Sequence, residues 1–233
     1  MEKITKASSA NCNICLFKKQ LHEIIGNYNN ELCLNHTTPL HFSRGENLIK
    51  QGSAYTHLIY LTHGMIKVFH KSENGKVVII TIAGPPLLVA CMGIFNSQYN
   101  QYSIAAVADS KACLIDANEL RSLAREDNTL CFNLVKTQFP IYEDLLKEYI
   151  NRSHKHVIGR VVTIIIHLAR NVFHSNSFKI PVSRQELAEY GQCSETNISH
   201  ILSGLQKDGY IETDGKIITI TDLQKLEIFS KVG

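Results

Sequence analysis

The stretch Ser183–Gly209, SRQELAEYGQCSETNISHILSGLQKDG, limits what this chain can fold into more than any other. It opens with Ser-x-x-Glu (Ser183, Glu186), a capping box in which each side chain satisfies an orphan amide of a helix start. A short helix through Leu187 and Ala188 is expected, then a three-residue turn, Gly191-Gln192-Cys193, with Ser194 as N-cap of a second helix. In that second helix Ile198, Ile201, Leu202 and Leu205 fall at i, i+3, i+4 and i+7, one apolar stripe. Thr196, Ser199, His200 and Ser203 repeat the spacing on another side, which is polar and almost uncharged. An ordinary solvated face would carry Lys and Glu, whereas small hydroxyls and an imidazole can lie against base edges. Two helices joined by so short a turn form either a helix-turn-helix or an ordinary helical corner.

The residues beyond Gly209 separate the two. Tyr210–Thr213, Asp214-Gly215 and Lys216–Ile220 read as strand, type I′ turn and strand. A helix-turn-helix with a hairpin after it is a winged helix, with Lys216 at the tip placed to meet a phosphate.

The run SRQELAEYGQCSETNISHILSGLQKDGYI resembles the DNA-binding domain of the Crp/Fnr family of bacterial transcription regulators; Arg184-Gln185-Glu186 and Gly191–Thr196 match without a gap. That family places glutamate, then serine or glycine, then arginine on the groove face. Aligned from Lys207-Asp208-Gly209, those positions hold Thr196, Ser199 and His200, and a glutamate stands one residue early at Glu195. Arginine grips guanine O6 and N7 with two bonds, worth ~1–3 kcal/mol, and histidine can make one of them. The resemblance therefore implies a DNA reader with a base preference of its own. It assigns Thr196, Asn197, Ser199 and His200 to base edges, Arg184 and Gln185 to backbone and the adjacent base, and Lys207 and Lys216 to phosphates. Ser194, Glu195 and Ser203 complete the contacting face. The implied partners are palindromic promoter DNA, a second copy of the chain, and RNA polymerase.

From Leu40 to Asp116 the texture is short strand-like runs separated by glycine: Asn47–Lys50, Leu58–Leu61, Met65–His70, Val77–Ile82, Ser103–Ala108 and Ala112–Asp116. Regular spacing without long helices reads as an antiparallel barrel or jelly roll, with Asn74-Gly75 marking a hairpin. Phe42–Gly52 and His63–Val68 resemble the cyclic-nucleotide-binding β-roll of the same family, so the resemblance spans residues 40–220. The ligand does not carry over. Where cyclic-nucleotide binders have a glutamate for the ribose, this chain has Cys91 ahead of Met92-Gly93-Ile94-Phe95. Their Arg-Ser pair for the phosphate is Ser103-Ile104, which leaves a buried phosphate no charge-assisted partner. An effector other than cAMP is expected. A cupin-type metal enzyme would need His-x-His and Glu on barrel strands. The barrel has none, and His154 and His156 fall in the helical region on different faces. No nucleophile–base pair or phosphate loop points to an enzyme.

Seven cysteines, an odd number without a signal-peptide pattern, suit reduced thiols and a cytoplasmic protein, and no apolar run approaches a membrane span. Cys12-x-x-Cys15 is a metal-binding half-site. Oxygen-sensing members of the resembled family hold an iron–sulfur cluster with three N-terminal cysteines and one in the β-domain, with which Cys113 aligns. Cys33 lies further off than the family's spacing, and the position of a close ligand holds Leu21. Cys12, Cys15, Cys33 and Cys113 are thus candidate ligands for such a cluster or another metal by a different local route; the alternative is that they are small core hydrophobes.

Residues 117–171 read as helical. Pro140 predicts a kink or a fresh helix start. Beyond it Ile141, Tyr142, Leu145, Leu146 and Tyr149 keep near-3.5 spacing, and with Leu134 they are the candidate dimer interface. Val157–Phe173 predicts a second helix, leading into a polar linker, His174–Lys179. The net charge of +3 is mild, so a nucleic-acid footprint must come from local placement. The fold expected is α+β: an N-terminal Cys-containing helical segment (1–35), a jelly-roll-like antiparallel β-roll sensor (36–128), a long dimerisation helix and hinge (129–156), and a C-terminal winged helix-turn-helix (157–233). The function expected is a homodimeric, sequence-specific transcription regulator, with redox or metal sensing through the cysteines as the alternative.

Overall fold

The computed structural model describes residues 37–89, 93–95 and 97–232. Cys12, Cys15, Cys33, Cys91 and the whole 1–35 segment lie outside these. The chain divides into two compact units, one running through Val68 with Gly84–Asp144, the other holding Phe69–Ala83 with Leu145–Gly233.

Among the described residues eight strands come first: β1 (Thr37–Phe42), β2 (Asn47–Ile49), β3 (His57–His63), β4 (Ile66–Lys71), β5 (Val77–Ala83), β6 (Leu87–Val89), β7 (Ser103–Ala106) and β8 (Ser110–Asp116). They form two four-stranded sheets, in the orders β1-β8-β3-β6 and β2-β7-β4-β5. That is the jelly-roll pairing, with strands alternating between two sheets. One core lies between the sheets and contains Leu40, Phe42, Ile59, Leu61, Ile66, Ile104, Ala106 and Ala112. A second lies on the other face of β3 and β8, where Tyr55, Leu58, Tyr60, Leu88 and Ile115 meet Leu120, Ala124, Leu130 and Leu134. The run Leu58-Ile59-Tyr60-Leu61 is sealed on both faces because both cores use β3, which explains why it is continuously apolar rather than alternating.

Helix α1 (Ala117–Glu126) starts where Asp116 caps it, its carboxylate accepting from the Asn118 and Glu119 amides at 2.8 and 3.0 Å. Helix α2 (Asn128–Ser153) runs 26 residues with Pro140 inside it, so of the two outcomes expected there, a kink or a fresh start, the fresh start does not occur. Leu134, expected at a dimer interface, is 3% exposed and belongs to the second core. The exposed apolar residues of α2 are Phe132, Val135, Phe139, Leu146, Tyr149 and Ile150. Helix α3 (Val157–His167) continues as a π-helical segment, Leu168–Val172.

The expected polar linker contains a strand. Ser177–Lys179 (β9) pairs antiparallel with β11 (Ile217–Ile220), which pairs with β10 (Ile211–Asp214), giving a three-stranded sheet β10-β11-β9. Phe178 on β9 is buried and stacks on Phe173 at 5.0 Å. Between these strands lie α4 (Arg184–Gly191) and α5 (Glu195–Lys207), and α6 (Leu223–Val232) ends the chain. Among the described residues no helix is long and apolar enough to cross a membrane.

Candidate nucleic-acid interface

Two short helices and a hairpin build this site, and local chemistry places each. Ser183 Oγ accepts from the Glu186 amide at 3.1 Å, and Glu186 Oε2 accepts from the Ser183 amide at 2.7 Å, the reciprocal box that starts α4. Ser183→Ala is expected to lower stability by about 1 kcal/mol, read as a shift in the urea midpoint without a change in slope. Helix α4 ends at Gln192, a non-glycine residue in the left-handed region (φ 52°, ψ 51°). Ser194 then caps α5, accepting from the Asn197 amide at 3.1 Å.

Helix α5 has two faces. Ile198, Leu202 and Leu205 are buried, with Ile201 partly so. Glu195, Thr196, Asn197, Ser199, His200, Ser203 and Lys207 are all exposed. Ser199 donates its hydroxyl back to Glu195 O at 3.1 Å, which leaves its lone pairs directed outward. Arg184 and Gln185 are exposed at the start of α4, where Gln185 Nε2 donates to Glu189 Oε1 at 3.2 Å. The exposed side of α5 presents hydroxyls, an amide and an imidazole, which suits insertion in a groove.

The wing is displaced by one residue from the sequence expectation. Asp214 pairs with Ile217, so the two-residue loop is Gly215-Lys216. Only Gly215 takes a positive φ, 58°, the type II′ pattern rather than I′. Lys216 consequently sits in the loop itself and is exposed. Thr213 Oγ1 donates to Gln206 Oε1 at 2.5 Å, tying the wing to the end of α5.

Behind α4 lies a polar cluster that sequence reasoning missed. Tyr190 is 1% exposed, and its hydroxyl donates to Glu148 Oε1 at 2.5 Å. Burial, and then the Glu148 charge, hold the phenol well above its ordinary pKa. The Arg152 guanidinium lies 4.6 Å from the Tyr190 ring centroid and is itself buried. His167 packs edge-on to Tyr190, with Nε2 donating to Ile82 O at 3.0 Å. Arg160 reaches Gly191 O at 2.9 Å, Gln192 O at 3.3 Å and Lys155 O at 2.9 Å. A signal was present: Arg160 is the one formally charged residue in the apolar run VIGRVVTIII, where a charge needs a buried partner.

In the roll, Ser103 is buried and its hydroxyl accepts the Gln51 amide at 2.9 Å, while Ile104 fills the core between the sheets. Cys113 is half-buried on β8, between Pro39 and Tyr60, and packs against the second core. It is the one candidate metal ligand among the described residues. Among those residues no group of three or more His, Cys, Asp or Glu side chains could hold a metal ion.

Comparison with known proteins agrees with this architecture in both halves. Residues 39–127 match the family model of the cyclic nucleotide-binding domain, and residues 159–229 that of the Crp-like helix-turn-helix domain. The transcriptional activator protein FnrA of Stutzerimonas stutzeri is 24% identical over 183 residues, 77% of this chain and 75% of that protein. The cAMP-activated global transcriptional regulator CRP of Salmonella typhimurium is 23% identical over 177 residues, 74% and 84% of the two chains. The structure of FixK2 from Bradyrhizobium japonicum superposes with a TM-score of 0.74 at 16% identity, covering 82% of this chain and 96% of that one. A jelly roll of the cyclic-nucleotide-binding type, a long helix and a winged helix-turn-helix in this order place the chain in the Crp/Fnr family of DNA-binding transcription regulators.

Proposed function

We propose that the protein acts as a cytoplasmic homodimer on palindromic promoter DNA, reading bases through α5 and answering an effector other than a cyclic nucleotide, with RNA polymerase as a further partner and no catalysis of its own. The observation that carries the reading is the division of α5: Ile198, Leu202 and Leu205 are sealed while Thr196, Asn197, Ser199 and His200 stand exposed. The absence of an arginine at Ser103-Ile104, with one side chain engaged and the other in the core, supports an effector without a buried phosphate. The dimer rests on α2. Phe132, Val135, Phe139, Tyr142, Leu146 and Tyr149 keep a 3-4-3-4-3 spacing, the a/d seam of a coiled coil. Five of the six are exposed large apolar residues and Tyr142 is half-buried.

The test is selection of a site from a random duplex library, and then gel shift. Thr196→Ala and His200→Ala are each expected to cost about 1–3 kcal/mol on the selected site and to relax preference at one base position. Lys216→Ala should weaken binding to all sequences alike and lower the salt slope by about 1. A library that yields no enriched sequence, or variants with unchanged affinity and preference, would overturn the reading.

A second reading, redox or metal control, has the Cys12-x-x-Cys15 pair and Cys113 in its favour. Iron, sulfide and zinc analysis of protein purified without oxygen decides it; a metal-free protein whose DNA affinity ignores oxygen removes it.

A further inference from the structure

Three successive carbonyls at the end of α4, those of Tyr190, Gly191 and Gln192, each meet a guanidinium. Arg152 Nη1 donates to Tyr190 O at 3.2 Å, Arg160 Nε to Gly191 O at 2.9 Å, and Arg160 Nη2 to Gln192 O at 3.3 Å. These are carbonyls that a helix C-terminus leaves without internal partners, and they carry the negative end of its dipole. Helix α4 has no basic residue in its own last turn. The complement comes from outside, from Arg152 in the last turn of α2 and Arg160 in the first turns of α3. Each arginine uses a further N–H group on backbone beyond α4: Arg152 Nη2 on Ile80 O of β5 at 2.9 Å, and Arg160 Nη1 on Lys155 O at 2.9 Å. Tyr190 is fastened a second time through its hydroxyl to Glu148, one turn before Arg152 on α2.

This arrangement sits at the turn that decides where α5 points. The turn contains the left-handed Gln192 and the Cys193 amide, which donates back to Ala188 O at 3.0 Å. Apolar packing beneath α4 and α5 is non-directional and tolerates sliding. Planar guanidinium forks on three carbonyls fix orientation. Resting on the DNA-reading role argued above, we infer that Arg152 and Arg160 are positioning residues of the reader: they set the pitch of α5 by holding the α4–α5 turn, and Arg152 links that turn to the helix that bears the dimer seam. A displacement at the end of α2 therefore reaches the base-reading face through charge-assisted bonds to backbone, without any residue of α5 changing its own contacts.

The full-length protein tests this with Arg160→Met, Arg160→Lys and Tyr190→Phe. The measurements are amide hydrogen exchange across residues 188–200, thermal melting, and affinity for both the selected site and an unrelated duplex. Arg160→Met is expected to melt cooperatively, to exchange at least tenfold faster at the turn amides, and to lose at least tenfold affinity for the selected site. Affinity for unrelated DNA should change less than threefold. Lysine at this position reaches one carbonyl and should recover part of both effects; Tyr190→Phe should speed exchange by a smaller factor. Unchanged exchange, faster exchange with unchanged site affinity, or equal loss on both duplexes overturns the inference. Should Arg160→Met not fold, the lysine and phenylalanine variants decide it on the same readouts. If the parent protein selects no site, the DNA-reading role fails and exchange at the turn alone decides whether the arginines hold it.

Discussion

On the α2 seam proposed above, F139E/L146E is expected to leave a monomer where the parent is a dimer at about 10 µM, a rise in dissociation constant of roughly a thousandfold or more. Phe139 is 62% and Leu146 59% exposed in the single chain, so neither contributes much to the folding of its own copy. In a parallel two-fold pair each seam position meets its own twin, so two substitutions remove four apolar side chains and set glutamate against glutamate. Each apolar side chain contributes about 1.5–3 kcal/mol when fully buried, and partial burial of four leaves a loss of some 4–6 kcal/mol. The monomer should remain folded, because glutamate is as good a helix former as the residues it replaces. Sedimentation equilibrium reads the association and circular dichroism the fold. Leu134→Glu is the contrast: its side chain lies in the core beneath α1, so that variant should unfold the roll rather than merely part the dimer. A double variant that sediments as the parent does would remove α2 as the seam.

This contrast also marks where sequence reasoning reached its limit. Periodicity along α2 shows that apolar residues recur, yet which rows meet the roll and which meet another copy depends on contacts far along the chain. Leu134 and Phe132 are equivalent by hydropathy, and only β3, β6 and α1 distinguish them. The winged helix-turn-helix was legible because its signals are local. Ser183 and Glu186 satisfy each other, Ser194 caps its own helix, and the hairpin partners lie close together along the chain. Even there the local signal points one residue early, since Asp-Gly and Gly-Lys both suit a two-residue loop and register is decided by Ile211, Ile218 and Ile220 facing inward. Strand β9 was not legible. It is three residues long, bordered by Ser and Asn, and its partner strand lies far along the chain, at Ile217–Ile220. The arginine joint behind α4 failed for a related reason: its acceptors are backbone carbonyls, which no residue type announces.

Gly64→Ala is expected to cost the roll about 3–7 kcal/mol, a large share of the roughly 5–15 kcal/mol that holds a domain together. Gly64 lies where the chain leaves β3 in one sheet to enter β4 in the other. Its φ of +88° already disfavours a side chain by about 1 kcal/mol or more. A Cβ there would also stand 2.3 Å from Ser110 Oγ, 2.5 Å from Asp109 O and 2.6 Å from Ser110 Cα. Two of these are backbone atoms of the central strand β8 and its approach, so relief requires the turn leaving β3 to move off β8. Ser110 is 2% exposed, and its hydroxyl accepts the Met65 amide at 3.1 Å and donates to Ala108 O at 2.7 Å. Displacing it leaves buried groups unpaired, at about 1–3 kcal/mol, in addition to an overpacking cost of about 1–3 kcal/mol. Gly75 is the matched control, with φ +83° and nothing within 4 Å of the same added methyl. Gly75→Ala should therefore show the backbone cost alone, about 1 kcal/mol. The difference between the two urea midpoints isolates the close approach from the dihedral. Equal losses at the two positions would mean that β8 yields freely at Ser110, and that the joint between the sheets is softer than its hydrogen bonds imply.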